Sequence, residues 1–492
     1  MQQTLPHSAC PGVPSPFGPP GDRPRLLMVL PWLTVGGSDK FNLDLVQQMT
    51  RRGWDVSIAT TLRGDNAWLP EFSRFTRDIF ILDDGLSSKD LPDLLSQWIR
   101  QRKPHVVMIS QSELGYYLLP SWRRQFPETT FVDYCHLEDE HWMNGGFPRL
   151  SIDHRADLDL TLVTSQHLKQ WMVERGADAE RVDVCTINVD PDAWRPDETL
   201  RESVRREFDL SEGTPVILYA GRLCPQKQPR VFAHVMKGLR ETKRDFVALV
   251  AGDGEDRSWL EDFLGRHGLS DCARMLGEVS SMRVRELMAA ADIFFLPSRW
   301  EGIALTFYEA MACGLVVVGA DVGGQRELVT EECGILVPVG DTERETALYI
   351  AALETLLSDP SKRRAMGRNA RERICRHFRL DDMGSNMTRL LHQARALHAE
   401  RAADSHSNLK TGASLPTGND YSRVQELAEK FWPRGRCGCS CGYPAKITKL
   451  LVSGNPLIRP VREWVLGRRW PWLLPLKDFI KERAGGMKDR PS

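Results

Sequence analysis

The chain has 492 residues, 41% hydrophobic and 27% charged, with 65 Lys+Arg against 66 Asp+Glu. At about 150 residues per domain this is enough for two large domains plus tails, and the balance excludes a fully disordered, collagen-like or disulfide-scaffold protein. No apolar run approaches the ~18 residues of a membrane helix, and no cationic-then-apolar leader opens the chain.

The eleven Cys are an odd count and read as free thiols in a reducing cytoplasm. Charge is unevenly placed. Residues 431–492 carry 13 Lys/Arg and 4 Asp/Glu, so the rest of the chain is net acidic. An acidic body with a basic tail does not read as a nucleic-acid binder, and no nucleic-acid partner is expected.

Residues 1–24 hold seven prolines without periodicity and read as a disordered leader. From Arg25 a strand, loop and helix pattern repeats. Leu26–Leu30 is a short apolar run, Gly36-Gly37 follows, and Phe41, Leu45 and Met49 recur at helical spacing before Gly53. Val56–Thr60, His105–Ser110, Thr130–Tyr134 and Leu160–Thr164 read as further buried strands. A break at Asp190–Glu198 precedes a second series: Val216–Ala220, Phe246–Ala251, Ala273–Leu276, Ile293–Leu296, Leu315–Gly319 and Gly334–Val337. Its helices include Pro229–Glu241 and Thr306–Ala312.

Continuous apolar runs alternating with helices predict parallel sheets covered on both faces. The expected organisation is two α/β, Rossmann-like, doubly wound blocks, residues 25–192 and 193–375. Closing helices (376–402), a linker (403–420) and a basic, Trp-containing tail (421–492) follow. Ligands of such sheets bind outside the carboxyl ends of the strands, so two facing blocks make a cleft.

Four stretches carry chemistry. In Glu301-Gly302-Ile303-Ala304-Leu305-Thr306-Phe307-Tyr308-Glu309, two carboxylates seven residues apart flank a turn that opens a helix. Amides at that helix start can face an anion; the competing reading is two surface glutamates. In Gly221-Arg222-Leu223-Cys224-Pro225-Gln226-Lys227, two cations follow a strand, placed for a diphosphate or merely solvated. Gly252 and Gly254 end the next strand and would let a ligand approach backbone. Gly36-Gly37 is the fourth, a turn that also occurs for purely steric reasons.

Taken in order, these stretches resemble the family 4 retaining glycosyltransferases of the GT-B fold, over about residues 25–400. The resemblance implies that Arg222 and Lys227 hold the donor diphosphate and stabilise the leaving group. Glu301 would contact donor sugar hydroxyls and Glu309 the nucleotide ribose. Gly302 and Leu305 would lie in the loop whose amides meet phosphate and sugar, and Gly252 at the donor site. Gly37 would approach the diphosphate, and His136, ending the strand Phe131–Cys135, would sit beside the donor sugar. Two departures stand out. Glu-Gly-Phe-Gly is here Glu301-Gly302-Ile303-Ala304, and Asn-Gly-Val-Asp at the interdomain hinge is Asn188-Val189-Asp190.

The implied activity is metal-independent and cofactor-free. A sugar moves with retention from a UDP- or GDP-sugar to a glycan or lipid-linked acceptor. Other readings are a GT-B nucleotide-sugar epimerase and a non-catalytic sugar-nucleotide-binding module. A nicotinamide dehydrogenase is disfavoured, because no strand is followed by Gly-x-Gly-x-x-Gly. In the tail, Trp432, Trp464, Trp470 and Trp472 among cations suit an anionic membrane surface or docking on the enzyme body. Cys437, Cys439 and Cys441 lack a fourth ligand and make a poor zinc site. The expected location is cytoplasmic, peripheral at the membrane's inner face if the tail binds lipid.

Overall fold

The structure is a computed structural model that describes residues 23–82 and 90–408. The chain divides into Met1–Ala428 and Glu429–Ser492, and every described residue belongs to the first unit. The Pro-rich leader to Asp22, most of the linker, the basic tail and its three cysteines therefore lie outside the described residues.

Strands β1 (Arg25–Leu30), β2 (Asp55–Thr60), β3 (Ile79–Phe80), β4 (Val106–Ser110), β5 (Thr130–Cys135), β6 (Leu160–Val163) and β7 (Val182–Val184) form one sheet. It has seven strands in the order β3-β2-β1-β4-β5-β6-β7. Strands β8 (Val216–Ala220), β9 (Val247–Ala251), β10 (Ala273–Gly277), β11 (Ile293–Leu296), β12 (Val316–Asp321) and β13 (Gly334–Pro338) form a second. Its six strands run β10-β9-β8-β11-β12-β13. All pairings in both sheets are parallel.

The α/β, doubly wound arrangement read from the apolar runs is the one observed. Central strands such as β4, β5, β8 and β11 are buried along their whole length, because helices cover both faces. The helix expected from Thr306 starts at Leu305, and the one at Pro229–Glu241 is found as read. The edge strands β3 and β7 were not anticipated. At two and three residues they are too short to show a pattern.

Strand order reverses between β1 and β4 in the first lobe and between β8 and β11 in the second. Those are the switch points where a crevice opens beyond the strand ends. The loops after β1, β5, β8 and β11 therefore define where ligands can sit.

The lobes are joined twice. The chain passes into the second lobe at Asn188–Asp190 and returns at Phe378–Leu380. There Val189 N–H donates to the Phe378 carbonyl (3.1 Å) and Leu380 N–H to the Val189 carbonyl (2.9 Å). Asn188 Nδ2 donates to the Arg379 carbonyl at 2.8 Å.

The last helix, Leu380–Asn408, then packs back on the first lobe and runs into the stretch read as a linker. Its Met383, Met387, Leu390, Leu391 and Ala394 are buried. Arg401 and His398 reach Asp159, a fully buried carboxylate that also binds Arg123 at 2.8 Å. The first lobe's core is thus completed by residues more than 180 positions downstream of its last strand.

Leu390→Ala should cost about 2–5 kcal/mol, the usual range for a fully buried leucine. Urea unfolding with probes in each lobe should place that loss in the first lobe, although Leu390 follows the second in sequence. A loss confined to the second lobe would contradict this packing.

Candidate functional site

After β1 the chain turns through Gly36, which precedes the helix Gly37–Arg51 in extended backbone. Asp39 in its first turn is buried, and burial pushes its carboxyl up to about 7 despite hydrogen bonds from Thr34. The next residue, Lys40, pairs with Asp44 one turn on.

On the second lobe, β8 runs into Gly221–Lys227, which ends in the short turn Pro225–Lys227. The loop after β11 lies beside it. Arg299 N–H donates to the Gln226 carbonyl (2.7 Å), and Gln226 Nε2 to the Trp300 carbonyl (3.1 Å). This stitching brings the Lys227 ammonium onto the buried Glu301 carboxylate as an ion pair. Arg222 is exposed, with Nη2 3.5 Å from Gln226 Oε1.

His136, at the end of β5, is buried between Phe41 and Tyr134, with ring centroids 5.3 and 4.8 Å away. Burial pushes its imidazole down to about 3, so it stays neutral at ordinary pH. Its Nε2 has no hydrogen-bond partner among the described residues.

The two lobes meet through backbone. A Cβ on Gly302 would sit 2.1 Å from the His136 carbonyl oxygen, so no side chain fits there. Behind it, Gly324 N–H donates to the Gly302 carbonyl at 2.7 Å. Gly323 has φ +53, and a Cβ there would lie 1.9 Å from the Glu301 carbonyl oxygen. A Cβ on Gly37 would touch Leu305 at 3.9 Å, which places those two expected residues on opposite walls of one seam.

Two expectations change in detail. Leu305 is not in the loop but begins the helix Leu305–Ala312, because Ala304 is already its N-cap. Ala304 offers no side-chain cap, so the first-turn amides depend on other partners. At Gly252 (φ +149), what approaches the backbone is the carbonyl of Gly221, 1.9 Å from where a Cβ would be. Loop packing by itself already requires a glycine there.

Glu309, one turn into that helix, is buried, and burial pushes its carboxyl up to about 8. Lys40 opposes this rise and Asp44 adds to it, so Glu309 and the first-lobe helix feel each other's charge across the seam. Sequence reasoning missed Asp39, Lys40, Asp44 and the Gly323-Gly324 pair. The glycine doublet after β12 was the available signal; the charged residues carried none, since they read as one helix's polar face. Among the described residues no group of three or more His, Cys, Asp or Glu could hold a metal ion.

Comparisons with known proteins divide along the two lobes. Residues 35–193 match the model of Glycosyltransferase Family 4, and residues 201–373 that of Glycosyl transferases group 1. A D-inositol 3-phosphate glycosyltransferase from Gordonia bronchialis is 30% identical over 264 residues, covering 50% of this chain and 56% of that protein. A GDP-mannose-dependent monoacylated alpha-(1-6)-phosphatidylinositol monomannoside mannosyltransferase from Corynebacterium glutamicum is 29% identical over 198 residues, covering 39% and 50%. The chain thus spans about half the length of each of these relatives. Among solved structures, Anabaena Alr3699/HepE in complex with UDP superposes with TM-score 0.65 at 18% identity, covering 75% of this chain and 100% of that one.

Burial of Glu309 has a measurable consequence. The folded state keeps a proton that the unfolded chain releases. Glu309 therefore withdraws stability as pH rises from its ordinary 4.5 towards about 8, and nothing further is lost above that. Asp39 and Asp133 act in the same direction, so the variant must be compared with the parent at each pH. Glu309→Gln should gain about 2–4 °C in Tm relative to the parent between about pH 5 and pH 8, read by calorimetry without nucleotide. A pH-independent difference would mean that Glu309 titrates as an ordinary surface carboxylate.

Proposed function

The chain belongs to the family 4 glycosyltransferases, and from that premise we propose that it transfers a sugar, with retention and without a metal, from a UDP- or GDP-sugar to a glycan or lipid-linked acceptor. One observation carries the reading. The Lys227–Glu301 pair, Glu309 and His136 converge on one seam, at the carboxyl ends of two facing parallel sheets.

Cleaving a sugar–diphosphate bond leaves positive character on the sugar and negative charge on the diphosphate. Charges and dipoles fixed in advance at that diphosphate stabilise the transition state. In this reading Arg222 and Lys227 face the diphosphate together with the first amides of the helix Leu305–Ala312, near Gly37 and Gly302. Glu301 takes the sugar hydroxyls and holds Lys227 in place. Glu309 takes the ribose, whose hydroxyl can donate to its carboxylate or accept from its protonated form. His136, neutral and with a free Nε2, is suited to hydrogen-bond a sugar hydroxyl rather than to carry charge. The acceptor attacks from the leaving-group face, and its hydroxyl proton passes to the departing phosphate oxygen.

Arg222→Ala should lower turnover by roughly 10²–10³, on the scale of one lost charge stabiliser. Lys227→Ala should lower it more, because Glu301 is then left unpaired beside the diphosphate. Glu309→Gln should weaken binding of UDP or GDP alone, whereas Glu301→Gln should spare nucleotide affinity and damage transfer. Calorimetry with the nucleotide and a transfer assay separate these roles, and the reverse pattern would exchange the two assignments.

The basic tail gives the proposed enzyme a route to a membrane-bound acceptor. Among the described residues no helix is long and apolar enough to cross a membrane. The tail's Trp residues with Lys and Arg suit peripheral, salt-sensitive attachment, at roughly 1 kcal/mol for each cation near an anionic surface. The full chain should sediment with phosphatidylserine vesicles at low salt and release at high salt, while a chain ending at Asn408 stays in solution. Failure of the full chain to sediment at low salt would remove the membrane role.

A further inference from the structure

Apart from the backbone crossings, one side chain ties the lobes together through an element's end. Helix Gln166–Glu174 of the first lobe begins after Ser165, whose Oγ accepts from Leu168 N–H at 3.1 Å. The two amides before Leu168 have no partner inside the helix. Both are taken by one carboxylate of the second lobe: Gln166 N–H donates to Glu327 Oε2 (2.9 Å) and His167 N–H to Glu327 Oε1 (2.8 Å). A carboxylate accepting two hydrogen bonds at a helix N-terminus gains from the donors and from the helix dipole.

The surroundings connect this contact to the seam. Glu327 lies in the short helix Gln325–Leu328, directly after Gly323-Gly324. Gly324 packs against Ser165, where a Cβ would come within 2.5 Å of the Ser165 Cβ, and its N–H holds the Gly302 carbonyl. Gly302 faces the His136 carbonyl, which accepts from Thr164 Oγ1 at 2.8 Å. Thr164 precedes Ser165. The contacts form a closed ring, Gln166 to Glu327 to Gly324 to Gly302 to His136 to Thr164 and back through Ser165, that crosses between the lobes at Gln166–Glu327 and at Gly302–His136. On the second lobe Glu327 is steadied by Arg373, whose guanidinium binds the Glu327 and Leu328 carbonyls at 2.8 and 2.7 Å.

We infer that Glu327 is the latch that holds the two lobes together, a positioning residue that fixes Gly302 and Glu301 against His136 without touching the reacting atoms. Its consequence for catalysis rests on the proposed transfer reaction. Its consequence for lobe contact does not, and that difference sets the experiment.

Hydrogen–deuterium exchange on the full chain should show the peptide starting at Ser165 exchanging about tenfold to a hundredfold faster in Glu327→Ala than in the parent. Peptides of β8 and β11 should be unchanged. Small-angle scattering should give a larger radius of gyration for the variant. Affinity for UDP and GDP should stay within about twofold, since the charged and ribose contacts proposed for them, Arg222, Lys227 and Glu309, lie on the second lobe, while kcat with any sugar nucleotide the parent uses falls about tenfold or more. Glu327→Gln, which keeps one acceptor oxygen, should fall between the two. Equal exchange and equal radius in parent and variant would overturn the latch. Faster exchange with unchanged radius and turnover would reduce Glu327 to a local helix cap and overturn it as well. If the parent transfers no sugar to any acceptor, the reaction proposed above fails, while exchange and scattering still decide the latch.

Discussion

The contact between Gly302 and the carbonyl of His136 sets how near the lobes can come, and the geometry of the seam depends on it. Two sheets are pointed at each other with their carboxyl ends inward, and every loop between them competes for the same narrow space. Only backbone fits where Gly302 meets the first lobe and where Gly323 meets Glu301. A methyl group at Gly302 would push the lobes apart by more than a hydrogen bond tolerates, and one at Gly323 would displace the Glu301–Gly302 loop that forms the second lobe's wall. Glycine at these positions is therefore a condition of closure, and the neighbouring side chains inherit their placement from it.

Closure at that distance removes ionisable groups from water, and the structure handles each differently. Glu301 is paired with Lys227. His136 becomes a weaker base and remains neutral, and Glu309 becomes a weaker acid. An unpaired buried charge is expensive, so the last two are neutral polar groups suited to hydrogen-bond a ligand rich in hydroxyls and phosphate oxygens. The two groups also act on stability in opposite senses: Glu309 withdraws it as pH rises above 4.5, and His136 as pH falls below 6.5.

Much of this was legible in the sequence. Fully buried parallel strands leave unbroken apolar runs, and Val216–Ala220 and Ile293–Leu296 were found for that reason. Loops that follow such strands must lie at the switch points, so Arg222, Lys227 and Glu301 could be assigned to one end of one sheet. What the sequence concealed was contact between distant segments. Nothing local in Asp39, Lys40 or Asp44 says that Glu309 faces them from 265 or more positions away. Glu327 reads as one more charge on a short helix, because its partners are backbone amides of another lobe and leave no residue-type signature. The return of helix Leu380–Asn408 to the first lobe was hidden in the same way, since an amphipathic helix does not name the surface it covers.

The double crossing gives these contacts their mechanical meaning. Asn188-Val189-Asp190 lacks the glycine usual at such a hinge, yet Val189 exchanges ladder hydrogen bonds with Phe378 and Leu380, a conformation open to any residue. Two strands joined side by side resist sliding and permit rotation about their shared line. Helix Leu380–Asn408, docked through Asp159, packs on the first lobe although it follows the second in sequence. Arg373 links this crossing to the latch residue: its guanidinium binds the Glu327 carbonyl at 2.8 Å and lies 5.5 Å from the centre of the Phe378 ring. The two hydrogen bonds that Glu327 accepts from the first lobe therefore extend the double crossing sideways into the seam, so that backbone pairing, Arg373 and the Glu327 carboxylate form one continuous connection between the lobes.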